Sequence, residues 1–187
     1  MILTKENTYC NGESRLFYLS DDIDNSSIGQ LCWSLIFQLQ EDDKREEKEK
    51  DFKREPIKLY INSYGGNVYD MWALIDIILN SKTPIYTYCT GYAMSAAFKI
   101  FLAGHKRFAS NHVTFMYHQM TCWRKGKYQD LVEDRQEMDY LQKTIEEYVI
   151  NRTKLTQTDM DNIREKKKDF YIHSEEALKL GIIDEII

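Results

Sequence analysis

A glycine pair, a serine and a histidine, met in the order Gly65-Gly66, Ser95 and His118, are the residues of this chain whose types and settings suit bond-making chemistry. Ser95 lies in Gly91-Tyr92-Ala93-Met94-Ser95-Ala96-Ala97, a small-residue turn between an apolar strand and an apolar helix. A serine in the first turn of a helix stands near backbone N–H groups that lack an intrahelical acceptor and can stabilise a negative oxygen, as a nucleophile in acyl transfer requires. Taken alone, such a serine reads as a helix cap. Gly65-Gly66, in Ile61-Asn62-Ser63-Tyr64-Gly65-Gly66-Asn67-Val68, lets backbone approach a ligand closely and aim N–H groups at it. A lone glycine pair is otherwise an ordinary tight turn. His118 ends the β-rich run Val113-Thr114-Phe115-Met116-Tyr117, where a single histidine is commonly just a satisfied polar residue. The three features together are much rarer than each separately.

The elements that must position these residues are legible from periodicity. Ile57 to Ile61 and Ile85 to Cys89 read as apolar strands, and Val68, Met71, Trp72, Ile75 and Leu79 recur at helical spacing after the glycine pair. Phe98, Ile100, Phe101 and Leu102 continue as a helix after Ser95. The order predicted is strand, helix, strand, helix, strand, helix, two short strands around Arg107 to Ala109 and Thr114 to Tyr117, a long helix near Tyr128 to Lys154, then one short helix before a C-terminal strand. Such alternation predicts an α/β domain with right-handed crossovers. The long helix carries Leu131, Met138, Leu141, Ile145 and Tyr148 on one stripe among many charges.

Composition narrows the function classes. The 187 residues suffice for one domain with a substantial core, and no internal repeat or second composition zone divides them. No stretch approaches the roughly 20 apolar residues of a membrane helix, and Met1-Ile2-Leu3-Thr4-Lys5 lacks a signal-peptide core, so a cytoplasmic location is expected. Cys10, Cys32, Cys89 and Cys122 form no C-x-x-C pair, which argues against structural zinc and for reduced thiols, with Cys32 on the apolar face of a helix. A net charge of −5 with both signs mixed, and no basic patch with interleaved aromatics, argues against nucleic acid. Residues 41–55 hold eight acidic and six basic side chains and read as a solvated helix extension or a disordered loop.

With these residues in place the chain resembles the ClpP peptidases, within the ClpP/crotonase superfamily, from Arg15-Leu16-Phe17-Tyr18-Leu19 to Gly181-Ile182-Ile183-Asp184. The family's I-N-S-P-G-G-x-V, G-x-A-x-S and M-x-H-Q segments correspond to Ile61 to Val68, Gly91 to Ser95 and Met116 to Gln119. Its late D-x-x-x-S-x-x-E-A-x-x-x-G-[LI]-[IV]-D segment corresponds to Asp169 through Asp184, and only this resemblance picks out Asp169, twelve positions before Gly181. The resemblance implies a Ser95–His118–Asp169 triad, an oxyanion hole of the Gly66 and Ala96 N–H groups, and no metal or organic cofactor.

It further implies a superhelix of β-β-α units with a protruding handle, here about residues 119–154, whose helix and preceding strand meet an opposite ring. A homo-oligomer of one heptamer or two stacked heptamers, acting on unfolded polypeptides or peptides and served by an AAA+ Clp ATPase unfoldase, goes with that form. A handle helix packed wholly on its own domain is the alternative reading of the apolar stripe. Two other functional readings remain beside a Clp-type endopeptidase: a processing peptidase of the phage prohead type that works without an unfoldase, and a non-catalytic subunit that scaffolds a mixed ring. The chain departs from the family at Tyr64 and Met120, where prolines are usual, and at Cys122-Trp123-Arg124-Lys125-Gly126, where a glycine pair is usual in the handle strand. The segment ahead of the first strand is shorter than the family's axial loop.

Overall fold

A computed structural model describes residues 9–11 and 15–187. Four parallel strands form its centre: β2 (Leu16–Leu19), β3 (Ile57–Ser63), β4 (Ile85–Met94) and β5 (Lys106–Ala109). β1 (Tyr9–Asn11) runs antiparallel on the β2 edge and β8 (Glu185–Ile186) parallel on the β5 edge. Helices α1 (Asn25–Lys48), α2 (Val68–Leu79) and α3 (Ala96–Leu102) fill the crossovers. The mixed α/β alternation expected from periodicity is borne out.

Along β3 the residues alternate in burial, so Ile57, Leu59 and Ile61 turn inward. They meet Leu31 and Leu35 of α1 and Leu74, Ile75 and Ile78 of α2 in one core. The opposite sheet face carries an aromatic ladder, with Tyr60 stacked on Tyr88 at 4.8 Å and Tyr88 on Phe108 at 4.7 Å.

β4 runs longer than its apolar half suggests, because it serves two sets of partners. Ile85 to Cys89 pair with β3 and β5, whereas Tyr92 to Met94 pair with β6 (Thr114–Tyr117). The ladder to β3 shifts between Ile61 and Ser63, and there the Asn62 side chain takes the place of a backbone acceptor, receiving the Tyr92 N–H at 3.0 Å. Gly91 is needed at this shift because a Cβ would collide with Asn62 Oδ1. Gly91 to Met94 is therefore strand rather than turn, a correction to the sequence reading; the bulge that redirects β4 looks like turn composition.

A second correction concerns the C-terminal third. After α4 (Tyr128–Arg152) come two short helices, α5 (Gln157–Lys166) and α6 (Ser174–Lys179), separated by β7 (Phe170–His173), where one helix was expected. Thr156 and Asp159 close a capping box that starts α5, and Lys167, left-handed at φ 49°, ends it. A four-residue strand is too short to declare its own period.

The charged stretch 41–55 is helical to Lys48, and it is not wholly solvated. Asp42 is fully buried and receives Arg15 at 2.8 and 2.7 Å and the Thr83 hydroxyl at 2.7 Å. Burial pushes this carboxyl up, but the Arg15 and Thr83 hydrogen bonds outweigh it and hold it below the ordinary aspartate value. Arg54 folds back onto Asp43 and Glu46, both at 2.6 Å, and onto Thr83 at 3.0 Å.

Cys32, Cys89 and Cys122 are free thiols; Cys32 is half-buried against the core, and the Cys10 side chain lies outside the described residues. The N-terminal expectation for Met1 to Lys5, and most of the short segment before the first strand, also fall outside them. Among the described residues, no helix is long and apolar enough to cross a membrane.

Candidate active site

Ser95 occupies a one-residue elbow between β4 and α3, with φ 51° and ψ −119°. A non-glycine residue held at positive φ stores strain that the surroundings must enforce. Two contacts do so: the Ser95 N–H donates to the Met116 carbonyl of β6 at 2.9 Å, and Gly65 packs beneath the elbow. Gly65 itself has φ 106°, and a Cβ there would stand 2.7 Å from the Met94 oxygen and 2.8 Å from the Ala96 nitrogen. The Ser95 side chain makes no cap hydrogen bond, which removes the capping reading.

Its hydroxyl instead faces the histidine: Ser95 Oγ lies 2.8 Å from His118 Nε2. The pairing follows from strand register. β4 and β6 are parallel neighbours with Met94 opposite Met116, so the residues leaving their C-terminal ends emerge side by side. His118 is half-buried, and its pKa is lowered, chiefly by burial and then by the charge of Lys99. Hydrogen bonding to the Gln119 backbone and the charge of Asp169 oppose the shift. A depressed pKa keeps the ring neutral and able to take a proton.

Asp169 immediately precedes β7, which lies antiparallel on β6 with Tyr117 opposite Phe170. The carboxylate is exposed and acts on His118 through its charge, without a hydrogen bond between the two. Of the five residues singled out from sequence, Ser95 and His118 are thus in direct contact and Asp169 is beside them. Gly66 and Ala96 flank the same elbow, and neither N–H is taken by a loop, cap or side-chain acceptor.

A cleft of about 270 Å³ opens on these residues, lined by Gly66, Ser95, Ala96 and His118 together with the apolar Met71, Leu141 and Ile145. Lys99, which sequence reasoning passed over, also lines it. Its residue is 4% exposed, and burial depresses the ammonium to a pKa of about 7. The signal was present: it is the single charged residue in the run Ala96 to Ala103.

The lower half of α4 braces the site. The Met120 N–H donates to Gln142 at 2.8 Å, behind His118, and the Tyr148 hydroxyl donates to the Lys99 carbonyl at 3.0 Å. Arg152 caps α3 through the Leu102 and Gly104 carbonyls at 2.9 and 2.8 Å. Of the apolar stripe, Leu141 and Ile145 are buried within the chain, Met138 and Tyr148 are partly covered, and Leu131 is exposed. Residues 118–127 form no strand. This segment, with Cys122 to Gly126 where the family has its glycine pair, pairs with no strand of the chain itself among the described residues.

Comparison with known proteins gives a consistent result. A sequence profile described as Clp protease matches residues 13–187. The ATP-dependent Clp protease proteolytic subunit of Deinococcus radiodurans is 35% identical over 133 residues, which is 70% of this chain and 64% of that protein. Proteolytic subunit 2 from a Synechococcus species is 30% identical over 176 residues, covering 92% of this chain and 83% of that one. Proteolytic subunit 1 of Shouchella clausii is 30% identical over 177 residues, or 94% and 86% of the two chains.

Proposed function

We propose, because this chain belongs to the Clp protease family, how its residues divide the work of a Clp-type serine peptidase. Ser95 is the nucleophile, His118 the general base and then acid, and Asp169 the group that orients and stabilises the imidazolium. The Ser95 hydroxyl donates its proton to His118 Nε2 as Oγ attacks the peptide carbonyl. The tetrahedral oxyanion that forms is received by the Gly66 and Ala96 N–H groups, donors of a kind whose loss costs about 3–4 kcal/mol of barrier. His118 returns the proton to the leaving amine, and water then repeats the sequence on the acyl-enzyme. The order Ser, His, Asp along the chain is no obstacle, since a triad is defined by geometry. No step needs a metal or an organic cofactor.

The observation that carries this reading is the 2.8 Å approach of Ser95 Oγ to His118 Nε2 on a strained elbow with no capping bond. It favours a working peptidase over a scaffolding subunit, which has no use for such strain. The substrate class is unfolded polypeptides and peptides. Residues 1–187 act as one peptidase unit with 119–154 as the handle, in a cytoplasmic ring of seven copies, single or stacked. Apolar side chains left bare on α1 and around α4, Trp33 at 72% and Trp123 at 84% exposure, support contact with other copies. The relatives are ATP-dependent by name, and an AAA+ unfoldase is the corresponding partner here. A prohead-type processing peptidase would use the same site without it.

The test is labelling with a fluorophosphonate, read by intact mass. One adduct on the wild type and none on Ser95→Ala, with the variant folded and unable to cleave a fluorogenic peptide, is the expected result. An unlabelled wild type would return the chain to the scaffold reading.

A further inference from the structure

Lys99 has no evident task in the chemistry above. It follows Ser95 by one helical turn, its N–H hydrogen-bonded to the Ser95 carbonyl at 3.4 Å. Side chains on a helix lean toward its N-terminus, so the lysine leans back toward the serine rather than away from it. Its Nζ lies over the Tyr117 ring, 4.8 Å from the centroid, and it forms no ion pair with any carboxylate among the described residues. The acidic groups that share the cleft are engaged at its rim: Glu137 accepts the Tyr69 hydroxyl at 3.2 Å, and Asp134 faces Arg124 at 3.8 Å. Glu146 is held by Arg164 at 2.7 and 2.8 Å. A lysine 4% exposed, with an aromatic face but no carboxylate beside its ammonium, carries a burial cost that an anionic group entering the cleft it lines would offset.

We propose that Lys99 is the floor of the pocket for the residue whose carbonyl is cleaved, and that it selects an acidic side chain, glutamate foremost, at that position. This rests on the assignment of Ser95 as nucleophile. With the scissile carbonyl between Ser95 Oγ and the Gly66 and Ala96 N–H groups, the adjoining side chain enters the cleft alongside α3. Its stem meets Met71, Leu141 and Ile145, and its end meets the ammonium. A lysine has three donors and no acceptor, so an amide or a methyl terminus satisfies it poorly and a carboxylate satisfies it well. The depressed pKa of about 7 accords with a charge waiting for its counter-ion, since a bound carboxylate would favour the protonated form.

The experiment compares three fluorogenic peptides that differ only in carrying Glu, Gln or Leu before the scissile bond. For the wild type, kcat/KM for Glu is expected to exceed that for Gln and Leu by at least about tenfold, because a site built for one polar group rejects analogues lacking it. Lys99→Met, similar in length and uncharged, should lower the Glu value at least about thirtyfold and make Leu the best substrate, without lowering the melting temperature. In the wild type, the Glu-to-Gln ratio of kcat/KM should also fall toward one as the pH rises above about 7, where the free ammonium loses its proton. A wild type that labels at Ser95 but cleaves Gln or Leu as well as Glu overturns the pocket assignment alone. So does a Lys99→Met protein with an unchanged Glu-to-Gln ratio. A wild type that neither labels nor cleaves any of the three overturns the peptidase reading, and the pocket with it.

Discussion

His118 and Asp169 are cross-strand partners in all but name: the antiparallel register that sets Tyr117 opposite Phe170 brings the residue after β6 against the residue before β7. Neighbours at such positions have Cβ atoms about 4.5–5.5 Å apart in a regular ladder. The fold therefore delivers the carboxylate to the imidazole by strand pairing, from a point 51 residues away in the chain. The two form no hydrogen bond, and the carboxylate favours the protonated ring through its charge.

This arrangement makes Asp169→Asn a sharp test. The side chain is exposed, so the melting temperature should stay within about 2 °C, as for a surface substitution worth less than 0.5 kcal/mol. The kcat should fall by a factor on the order of 10³–10⁴ if the carboxylate holds the tautomer during turnover. Peptide hydrolysis together with thermal melting decides it, and an unchanged kcat would remove Asp169 from the triad.

The acid limb of the pH profile reports His118. Its pKa is lowered from 6.5 by burial and by Lys99, so the base remains unprotonated to more acidic pH than a free histidine. With the Leu peptide, whose side chain makes no use of the Lys99 charge, kcat/KM should rise with pH through a half-point below 6.5 and then level. In Lys99→Met, loss of the neighbouring charge should move that half-point upward. A half-point above 6.5 in the wild type would mean that the Asp169 interaction dominates in the working enzyme.

Gly65→Ala should damage the elbow directly. The new methyl meets the Met94 carbonyl, the Ala96 nitrogen and the Ser95 Cβ at 2.7–2.8 Å, and the φ of 106° disfavours any side chain. Backbone cannot yield as a flexible side chain would. Fluorophosphonate labelling should drop at least about a hundredfold, in line with the loss of one oxyanion donor. Normal labelling would show that the turn can move aside without disturbing Ser95.

Much of this site was readable in advance, and the unread part has physical reasons. Gly65-Gly66, Ser95 and His118 each follow an apolar run long enough to show its period. Asp169 does not: β7 spans four residues, and among so many acidic side chains only the family resemblance marked it. The Gly91 to Met94 strand reads as a turn in sequence because small residues serve both a bulge and a turn. Lys99 escapes a sequence reading because hydrophobic patterning looks past one charged residue on an apolar face. Residues 41–55 looked solvated because composition cannot distinguish Asp42, clasped by Arg15, from the bare acids beside it.

The Asp42 cluster gives its own prediction. Asp42→Ala leaves the Arg15 guanidinium and the Thr83 hydroxyl without their acceptor and should lower stability by about 1–3 kcal/mol, whereas Glu47→Ala on the exposed side should be near neutral. Because the carboxyl is held below its ordinary value of 3.8, its contribution is present above that pH and is lost as the pH falls through the folded-state value. Urea melts of both variants at neutral and acidic pH measure this. Equal stabilities would show that the extension of α1 is dispensable.

Assembly should reach the active site through α4. Its lower half is built into the chain by Leu141, Ile145 and Val149, and it steadies His118 through Gln142 and α3 through Tyr148 and Arg152. Its upper half is bare: Tyr128 is 82% and Tyr140 64% exposed, and Leu131 is uncovered beside them. Apolar surface of this extent on a helix anchored at one end is expected to be covered by other copies of the chain. Light scattering should then report a particle of seven or fourteen subunits, and Leu131→Glu with Tyr140→Glu should dissociate it. Dissociation should lower kcat as well, because Asp169 lacks a hydrogen bond to His118 in the single chain and restraint of α4 by a neighbour is what would bring the triad into reach. If the double variant is a monomer with full peptidase activity, ring assembly contributes nothing to the geometry of the triad.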